Sequence, residues 1–407
     1  MSTKILMFGW EFPPHNSGGL GVACQGIVRS LSKLDTQITF VLPRKVSVTS
    51  PFADFAFAEY SAVGEGVEGV AINSSLSPYL TTQSYQPGED GKAIYGANLI
   101  AEVRRYALRA REIMKAREYD VIYAHDWLSF PAGILAKKIT GKPLIVHVHS
   151  TEFDRCGGPS GVNPEVYQIE WEGMHAADRI VALSQFMKNI LVLRYGMPAE
   201  KIDIVHNGID EETTPRTNGG RSQLASLKKA GYSIVLFLGR ITLQKGLDHL
   251  LRAAARVVKH DPNVLFLVSG SGDMERRMME YAAELDIARN VLFSGFLRGS
   301  EQHEAYLLAD LFVMPSVSEP FGIAALEAMK LGTPVLVSNQ SGVAEAIQHA
   351  LKADFWDVDD LANKILAVVA HPTLRSTLSH NGSGEVEYIT WDKSATKINQ
   401  VIHRVAV

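Results

Sequence analysis

The chain is poor in the features that mark several classes of protein. Only two of its 407 residues are cysteine, Cys24 and Cys156, which is too few for a disulfide framework. Its longest apolar runs, such as 234–238 and 264–268, are far shorter than a membrane-spanning segment. The formal net charge of −4 provides no general attraction to nucleic acid. Because the chain also opens without a charged-then-apolar leader, we expect a protein of the reducing cytoplasm.

Short β-rich runs alternate with helical runs along the chain, whose length suits two or three domains. In the first half the predicted strands are residues 4–9, 38–42, 121–124, 143–148 and 179–182. In the second half they are residues 234–239, 264–269, 291–293, 311–314 and 334–338. This alternation predicts an α/β fold in which two Rossmann-like, doubly wound domains face a cleft. Ligands of such sheets bind at the carboxyl ends of the strands.

The stretch from Glu319 to Glu327 is the most informative part of the sequence. Pro320 and Gly322 do not suit a helix interior, so Glu319 is predicted on a loop before a helix at 323–330. The N-terminus of that helix presents free N–H groups and a partial positive charge, which commonly bind phosphate. Glu319 and Glu327 can then reach a sugar hydroxyl and a ribose diol. The alternative is one loop glutamate and one solvated glutamate.

Two cations occupy the predicted loop that follows the strand at 234–239. Arg240 offers a planar fork of donors and Lys245 a compact charge, and together they can clamp a diphosphate as it leaves. Arginine and lysine on a surface loop are otherwise usually solvated. The position after a buried strand, with Glu319 in the same half of the chain, favours the functional interpretation.

Glycine turns follow two of the predicted strands. Gly18 and Gly19 come after the first strand, and Gly270 comes directly after the strand at 264–269. The absence of a side chain lets backbone N–H groups approach a phosphate or a sugar at such turns. The first turn is not a G-x-G-x-x-G sequence, so dinucleotide binding is a poor interpretation of it. Ordinary structural turns remain the alternative for both.

Polar residues also end two strands of the first half. His125, Asp126 and Trp127 can bind sugar hydroxyls and stack on a ring face, or can simply be a capping aspartate beside core aromatics. Alternation along the next strand puts His147 and His149 on one face, a pair that also suits a metal ion. Since no third histidine is near them in sequence, we expect no metal site there.

Four of these motifs occur in an order found in one enzyme family. The glycine loop after the first strand, the HDW string, the GR-x4-KG loop and the E-x7-E element resemble those of retaining glycosyltransferases of the family-four type with the GT-B fold. The chain is similar to bacterial and archaeal glycogen or starch synthases. The resemblance covers nearly the whole chain, least well residues 46–95. It departs from the pattern at Ser341, where the family's GG-x-x-E segment has its first glycine.

The resemblance implies a role for each part of the chain. Residues 1–207 form an N-terminal acceptor-binding domain, with residues 46–95 as an irregular excursion. A linker at 208–222 leads to a nucleotide-sugar-binding domain at 223–385. The last segment, 386–407, is a helix that crosses back to the first domain.

The resemblance also implies roles for single residues. The catalytic residues are Arg240, Lys245, Glu319 and His149, of which His149 contacts the transferred sugar. The donor-binding residues are Gly18, Gly19, Gly270, Phe321, Gly322, Ile323 and Glu327. The acceptor-binding residues are His125, Asp126, Trp127, Glu152 and Asp154. No cofactor and no metal are implied, because the departing phosphate itself takes the proton of the acceptor.

The implied reaction moves glucose from ADP-glucose or UDP-glucose to an α-glucan such as glycogen. Other family-four acceptors remain open, namely a lipid, a small metabolite or a surface polysaccharide. A sugar-nucleotide epimerase and a non-catalytic glucan-binding protein are further alternatives. The basic stretch at 102–118 could contact anionic lipid, although its interspersed glutamates favour a solvated helix face. The resemblance implies no nucleic acid partner.

Overall fold

The computed structural model describes residues 2–15, 19–48, 50–58, 99–158, 161–210 and 223–406. Within these parts the chain forms two parallel β-sheets, of seven and six strands, with helices between the strands. Parallel sheets covered on both faces require strands that are apolar along their whole length, which explains the continuous apolar runs in the sequence. None of the described helices is long and apolar enough to cross a membrane.

The first sheet has the strand order β3-β2-β1-β4-β5-β6-β7. Its strands are β1 Thr3–Phe8, β2 Thr36–Leu42, β3 Asp54–Phe57, β4 Val121–His125, β5 Leu144–Val148, β6 Arg179–Ala182 and β7 Ile202–Ile204. Its helices are α1 Gly19–Leu31, α2 Leu99–Arg109, α3 Arg111–Ala116, α4 Phe130–Thr140, α5 Glu152–Arg155, α6 Pro164–Ala176 and α7 Gln185–Tyr195. Successive strands are added toward one edge of the sheet up to β3 and toward the other edge from β4 onward. The order therefore reverses between β1 and β4, which is where ligands of such sheets bind.

The second sheet has the order β10-β9-β8-β11-β12-β13. Its strands are β8 Ser233–Leu238, β9 Val264–Ser269, β10 Val291–Gly295, β11 Leu311–Met314, β12 Val335–Ser338 and β13 Leu351–Ala353. The helices are α8 Gln223–Lys229, α9 Leu247–His260, α10 Glu275–Glu284, α11 Ser300–Leu308, α12 Ile323–Lys330, α13 Val343–Ala346, α14 Val358–Ala370, α15 Pro372–Val386 and α16 Trp391–Val405. Here the reversal lies between β8 and β11, the strands that precede the two charged motifs.

The C-terminal helix α16 returns to the first domain, as expected. Its apolar face, with Trp391 and Ile398, is buried in one cluster with Ile27 of α1. A side chain at Gly26 would collide with the Trp391 ring, so a glycine is needed for the two helices to approach. The Ser394 hydroxyl donates a hydrogen bond to the carbonyl oxygen of His206 (2.6 Å).

The stretch at 46–95 differs from the prediction in one respect. Asp54–Phe57 forms the edge strand β3 rather than irregular chain, and it pairs in parallel with β2. The strand is short and only half-buried, so its sequence carries a weak signal. Residues 59–98 lie outside the described residues, as do 211–222 of the predicted linker.

The basic stretch at 102–118 is divided between α2 and α3, and several of its cations are paired. Arg105 pairs with Glu102, Arg104 with Glu165 (3.7 Å) and Lys115 with Glu112 (3.6 Å). Such pairing lowers the free positive charge available to anionic lipid.

Candidate active site

The loop between β11 and α12 carries Glu319, as the sequence predicts. Helix α12 begins after Gly322, whose φ of 109° lies in a region that side chains disfavour. A Cβ atom at Gly322 would also lie 2.7 Å from the Met314 side chain. Phe321 buries its ring and stacks on His206, with 5.7 Å between ring centroids. The glycine therefore lets the chain turn sharply from the Glu319 loop into a helix whose N-terminus, at Ile323, is close by.

Lys245 and Glu319 form an ion pair, although they lie 74 positions apart. Their side chains are only 19% and 10% exposed, and the Ser316 hydroxyl donates to the same Glu319 oxygen (3.3 Å). Neighbouring strands bring them together, because β8 and β11 are adjacent in the sheet. The two charged motifs thus form one site at the carboxyl ends of these strands.

Arg240 belongs to the same site through Gln244. The Arg240 guanidinium donates to Gln244 Oε1 (3.1 Å), and Gln244 Nε2 donates to the carbonyl oxygen of Ser318 (3.0 Å). Gln244 was not singled out from the sequence, where it is one of four unspecified positions in the GR-x4-KG pattern. Its burial, at 3% exposure, is a property of the tertiary structure alone.

Glu327 lies on α12 and is held by residues of α11. It accepts hydrogen bonds from Tyr306 Oη (3.1 Å) and Gln302 Nε2 (3.3 Å), both on α11. Burial raises the pKa of Glu327 above its ordinary value, while the Tyr306 hydrogen bond acts against that shift. These partners fix the carboxyl group, and its ribose-binding role stays a prediction.

The glycine turns differ in how crowded they are. Gly270 has a φ of 139°, and a Cβ atom there would lie 1.8 Å from the carbonyl oxygen of Gly239. Gly19 opens α1 and has no atom within 4 Å of such a Cβ, whereas Gly18 lies outside the described residues. The N–H of Gly21 donates to Glu11 Oε1 (3.0 Å), so this buried carboxylate caps α1. Glu11 was not singled out from the sequence.

Three histidines cluster at the carboxyl ends of β4 and β5. No third histidine is near in sequence, but the fold brings one close, because His125 pairs in register with His147 on the neighbouring strand. His125 Nδ1 and His149 Nε2 share a hydrogen bond (2.9 Å), as do His147 Nδ1 and Tyr123 Oη (2.9 Å). Burial holds the pKa of His125 and His147 well below the usual range and lowers that of His149 to about 3. All three rings are therefore neutral.

Neutral imidazoles can bind a metal ion, and one ring nitrogen of each histidine lies within 4.8 Å of the others. The rings of His147 and His149 are stacked, with 4.1 Å between their centroids and 25° between their planes. The hydrogen bond between His125 and His149 also occupies two of the nitrogens. The bond orients the His149 ring, and the absence of a metal ion here stays a prediction.

Asp126 and Trp127 follow His125 at the end of β4, and Asp126 bonds to the chain at His149. Asp126 Oδ1 accepts the backbone N–H of His149 (2.6 Å) and of Ser150 (3.3 Å). Trp127 is 1% exposed within the core. His125 and Asp126 are buried as well and hold His149, while the acceptor-binding role of all three residues stays a prediction.

Glu152 and Asp154 are also fully buried, and their contact with an acceptor stays a prediction. Glu152 pairs with Arg155 (3.1 Å), whose guanidinium it helps to neutralise. Asp154 Oδ2 accepts the backbone N–H and the hydroxyl of Thr151, each at 2.7 Å, and so caps α5. Its other oxygen accepts the Ser318 hydroxyl (2.5 Å), across 164 positions of sequence. Asp154 thus links the first domain to the Glu319 loop.

Glu345 makes a second link between the domains. It accepts the N–H groups of Gln185 (2.7 Å) and Phe186 (3.3 Å) at the start of α7, and it pairs with His206 (2.8 Å). Burial acts to raise the pKa of Glu345, but the hydrogen bonds from His206 and the helix outweigh it and keep that pKa low. Glu345 is the final glutamate of the imperfect GG-x-x-E segment, and that resemblance was the feature of the sequence that could have pointed to it.

The Asp126 carboxyl gives a pH-dependent stability that can be measured. Burial raises its pKa to about 7, against the backbone hydrogen bonds and the Arg155 charge. A carboxyl whose pKa is higher in the folded than in the unfolded chain destabilises the fold once the pH exceeds the unfolded-chain pKa. This loss of stability is absent below about pH 4, grows as the pH rises and becomes constant above about pH 7. We expect Asp126→Asn to raise the free energy of unfolding, relative to wild type, by up to about 4 kcal/mol above pH 7.

Urea unfolding at several pH values tests this expectation. Asparagine keeps an acceptor for the two N–H groups and tolerates the φ of 58° at this position. Asp354→Asn serves as a control of opposite sign, because hydrogen bonds from Gln340 and Asn339 lower the pKa of Asp354. A stability difference between Asp126→Asn and wild type that does not change between pH 4 and 8 would contradict the assignment.

Comparison with known proteins gives this site its context. Residues 17–213 match the family model described as Glycosyltransferase Family 4, and residues 222–384 match the model described as Glycosyl transferases group 1. A D-inositol 3-phosphate glycosyltransferase of Saccharomonospora viridis is 30% identical over 303 residues, which cover 70% of either chain. The chain belongs to the family-four glycosyltransferases. This confirms the family that the sequence motifs predicted.

Two further relatives extend the comparison. A glycogen synthase of Mycobacterium tuberculosis is 28% identical to this family-four glycosyltransferase over 377 residues, 91% of this chain and 86% of the relative. The solved structure of a sucrose-phosphate synthase from Thermosynechococcus elongatus superposes with a TM-score of 0.77 over 99% of this chain and 98% of that one, at 20% identity. The structural likeness shows the GT-B fold.

Proposed function

We propose that the protein is a retaining glycosyltransferase that moves glucose from ADP-glucose or UDP-glucose to an α-glucan such as glycogen, in the cytoplasm. The observation that carries the proposal is the Lys245–Glu319 pair beside the N-terminus of α12. Lys245 supplies a cation for the phosphate, Glu319 supplies an anion for the sugar, and the N-terminus of α12 favours negative charge. The similarity to a glycogen synthase supports glucose and glucan as substrates.

In the proposed reaction the diphosphate leaves toward positive charge. Arg240 and Lys245 neutralise it, and the N–H groups at the start of α12 add to that stabilisation. Glu319 turns from Lys245 to the sugar, where it and His149 bind hydroxyl groups. The bond from the anomeric carbon to the phosphate oxygen breaks as the acceptor oxygen bonds to the same face of that carbon. The departing phosphate takes the acceptor proton, so no metal and no protein nucleophile take part.

A second candidate is transfer to a small phosphorylated acceptor. The D-inositol 3-phosphate glycosyltransferase of Saccharomonospora viridis has a slightly higher identity than the glycogen synthase, although over a shorter stretch. Both candidate reactions use the same donor site, so they differ in the acceptor that the first domain binds.

Nucleotide release from a set of donors and acceptors tests the proposal. Purified protein is incubated with ADP-glucose, UDP-glucose, GDP-mannose or UDP-GlcNAc, each alone, with glycogen and with inositol 3-phosphate. We expect release to require a glucose donor together with glycogen, the product linkage to be α, and EDTA to leave the rate unchanged. Release that requires inositol 3-phosphate would favour the second candidate. No release with any donor would contradict both.

A further inference from the structure

Gln244 is a buried amide that contacts both charged motif loops. It is 3% exposed, and its neighbour Lys245 is the cation of the ion pair. Its Oε1 accepts from the Arg240 guanidinium (3.1 Å), while its Nε2 donates to the carbonyl oxygen of Ser318 (3.0 Å). A guanidinium only donates and a carbonyl oxygen only accepts, so these partners fix which way the amide faces.

The backbone of Gln244 strengthens this connection. Its carbonyl oxygen accepts the N–H of Val317 (2.9 Å), so side chain and main chain both bind the segment before Glu319. Gly246, two positions on, approaches so closely that a Cβ there would lie 2.1 Å from the carbonyl oxygen of Pro315. The two loops are therefore packed backbone to backbone, with the Gln244 amide between them.

The two hydrogen bonds of the Gln244 amide restrict one group on each motif loop. An arginine side chain has several rotatable bonds, and one good hydrogen bond restricts where its guanidinium lies. The Ser318 carbonyl belongs to the peptide group that continues into Glu319, so the bond from Gln244 also sets the direction of that residue. Ser318 is held at its hydroxyl by Asp154 as well (2.5 Å).

We propose that Gln244 is a positioning residue, which holds the Arg240 guanidinium and the Glu319 loop at a fixed separation so that both act on one donor molecule. This inference rests on the proposed function of the site. In this role Gln244 acts through Arg240 and Ser318 and not by contact with the diphosphate or the sugar. Its effect is expected on the rate of the chemical step, because the two groups it orients act most strongly in the transition state.

Two substitutions separate the contacts of Gln244. Gln244→Met has a similar length and removes both hydrogen bonds. Gln244→Glu has the same shape and still accepts from Arg240, but its carboxylate cannot donate to the Ser318 carbonyl oxygen. Gln168→Met is the matched control, because Gln168 also donates an amide hydrogen bond, to Glu172 (2.8 Å), on the exposed face of α6.

The first measurement is steady-state kinetics with the donor and acceptor that the wild-type protein uses. We expect Gln244→Met to lower kcat by about tenfold to a hundredfold per folded molecule, with the donor KM changed less than about threefold. Gln244→Glu should raise the donor KM as well, since its charge partly neutralises Arg240. Gln168→Met should match wild type. A kcat of Gln244→Met within twofold of wild type would overturn the proposal.

The second measurement does not depend on turnover. Hydrogen–deuterium exchange of the peptide that spans residues 315–322 should be faster in both Gln244 variants than in wild type, and unchanged in Gln168→Met. If the wild-type protein releases nucleotide from no donor, the proposed function fails while this measurement still decides the role of Gln244. Unchanged exchange in that peptide would overturn the positioning role even if activity is lost.

Discussion

Lys245→Met is expected to lower turnover by about a hundredfold to a thousandfold while the protein stays folded. In the structure the Lys245 ammonium is the cation paired with Glu319, and in the proposed reaction it turns to the leaving diphosphate. Charge on that diphosphate increases as the glycosidic bond breaks. The lost contact is thus worth more in the transition state than in the bound donor, and kcat should fall more than the donor KM rises.

A surface ion pair gives the matched control. Lys4 also pairs with a glutamate, Glu118 (2.8 Å), but at 42% and 89% side-chain exposure and outside the motif loops. Lys4→Met should retain wild-type kinetics, because exposed pairs contribute little. Release of nucleotide is measured for both variants at saturating donor, with circular dichroism to verify folding. Wild-type turnover in Lys245→Met would remove this lysine from the catalytic group.

Glu319→Gln extends the same argument to the partner residue. It keeps the size and one acceptor oxygen but removes the charge, so we expect a loss of similar order for the single variant. In the double variant the losses should be less than additive, because both residues act on one donor. Strictly additive losses would indicate that the two side chains act independently.

Gly270→Ala should produce the largest loss of stability. The position has a φ of 139°, which side chains rarely adopt, and the added Cβ would lie 1.8 Å from the Gly239 carbonyl oxygen. The clashing atom belongs to the backbone just after the neighbouring strand β8, so it cannot rotate away as a side chain could. We expect a cost of about 4 kcal/mol or more, which is a large part of the stability of an ordinary domain. The urea midpoint of the unfolding transition measures it.

Gly141→Ala separates the backbone strain from the collision. Gly141 ends α4 with a φ of 71°, and no atom lies within 4 Å of a Cβ built there. Its substitution should therefore cost only the conformational strain, about 1 kcal/mol. If the two variants unfold at the same urea concentration, the close approach of Gly270 to Gly239 does not carry the stability assigned to it.

The regular elements were largely predictable because their signals are local. The predicted strand at 264–269 coincides with β9, and the predicted strand at 4–9 differs from β1 by one residue at either end. Strands β7 and β13 were missed, since they have three residues each and no extended apolar run. The edge strand β3 was missed for the same kind of reason, within a stretch that looked irregular.

The site was predictable only in part. The motif pattern identified the loops that carry Lys245 and Glu319, because short polar runs after apolar strands are visible in sequence. It did not reveal that Glu152 and Asp154 are buried, since a charged residue on a loop is usually exposed. Their burial depends on partners elsewhere, Arg155 for Glu152 and Ser318 for Asp154.

The sequence by itself determined the α/β class, the two halves and the residues that stand at the ends of the strands. These properties follow from hydrophobic period, glycine and proline, which act over a few neighbouring residues. The tertiary structure alone decided which strand ends are neighbours. It placed Glu319 against Lys245, 74 positions away, and His125 beside His147. Such contacts, and the burial that shifts a pKa, depend on strand order and packing, which no local pattern encodes.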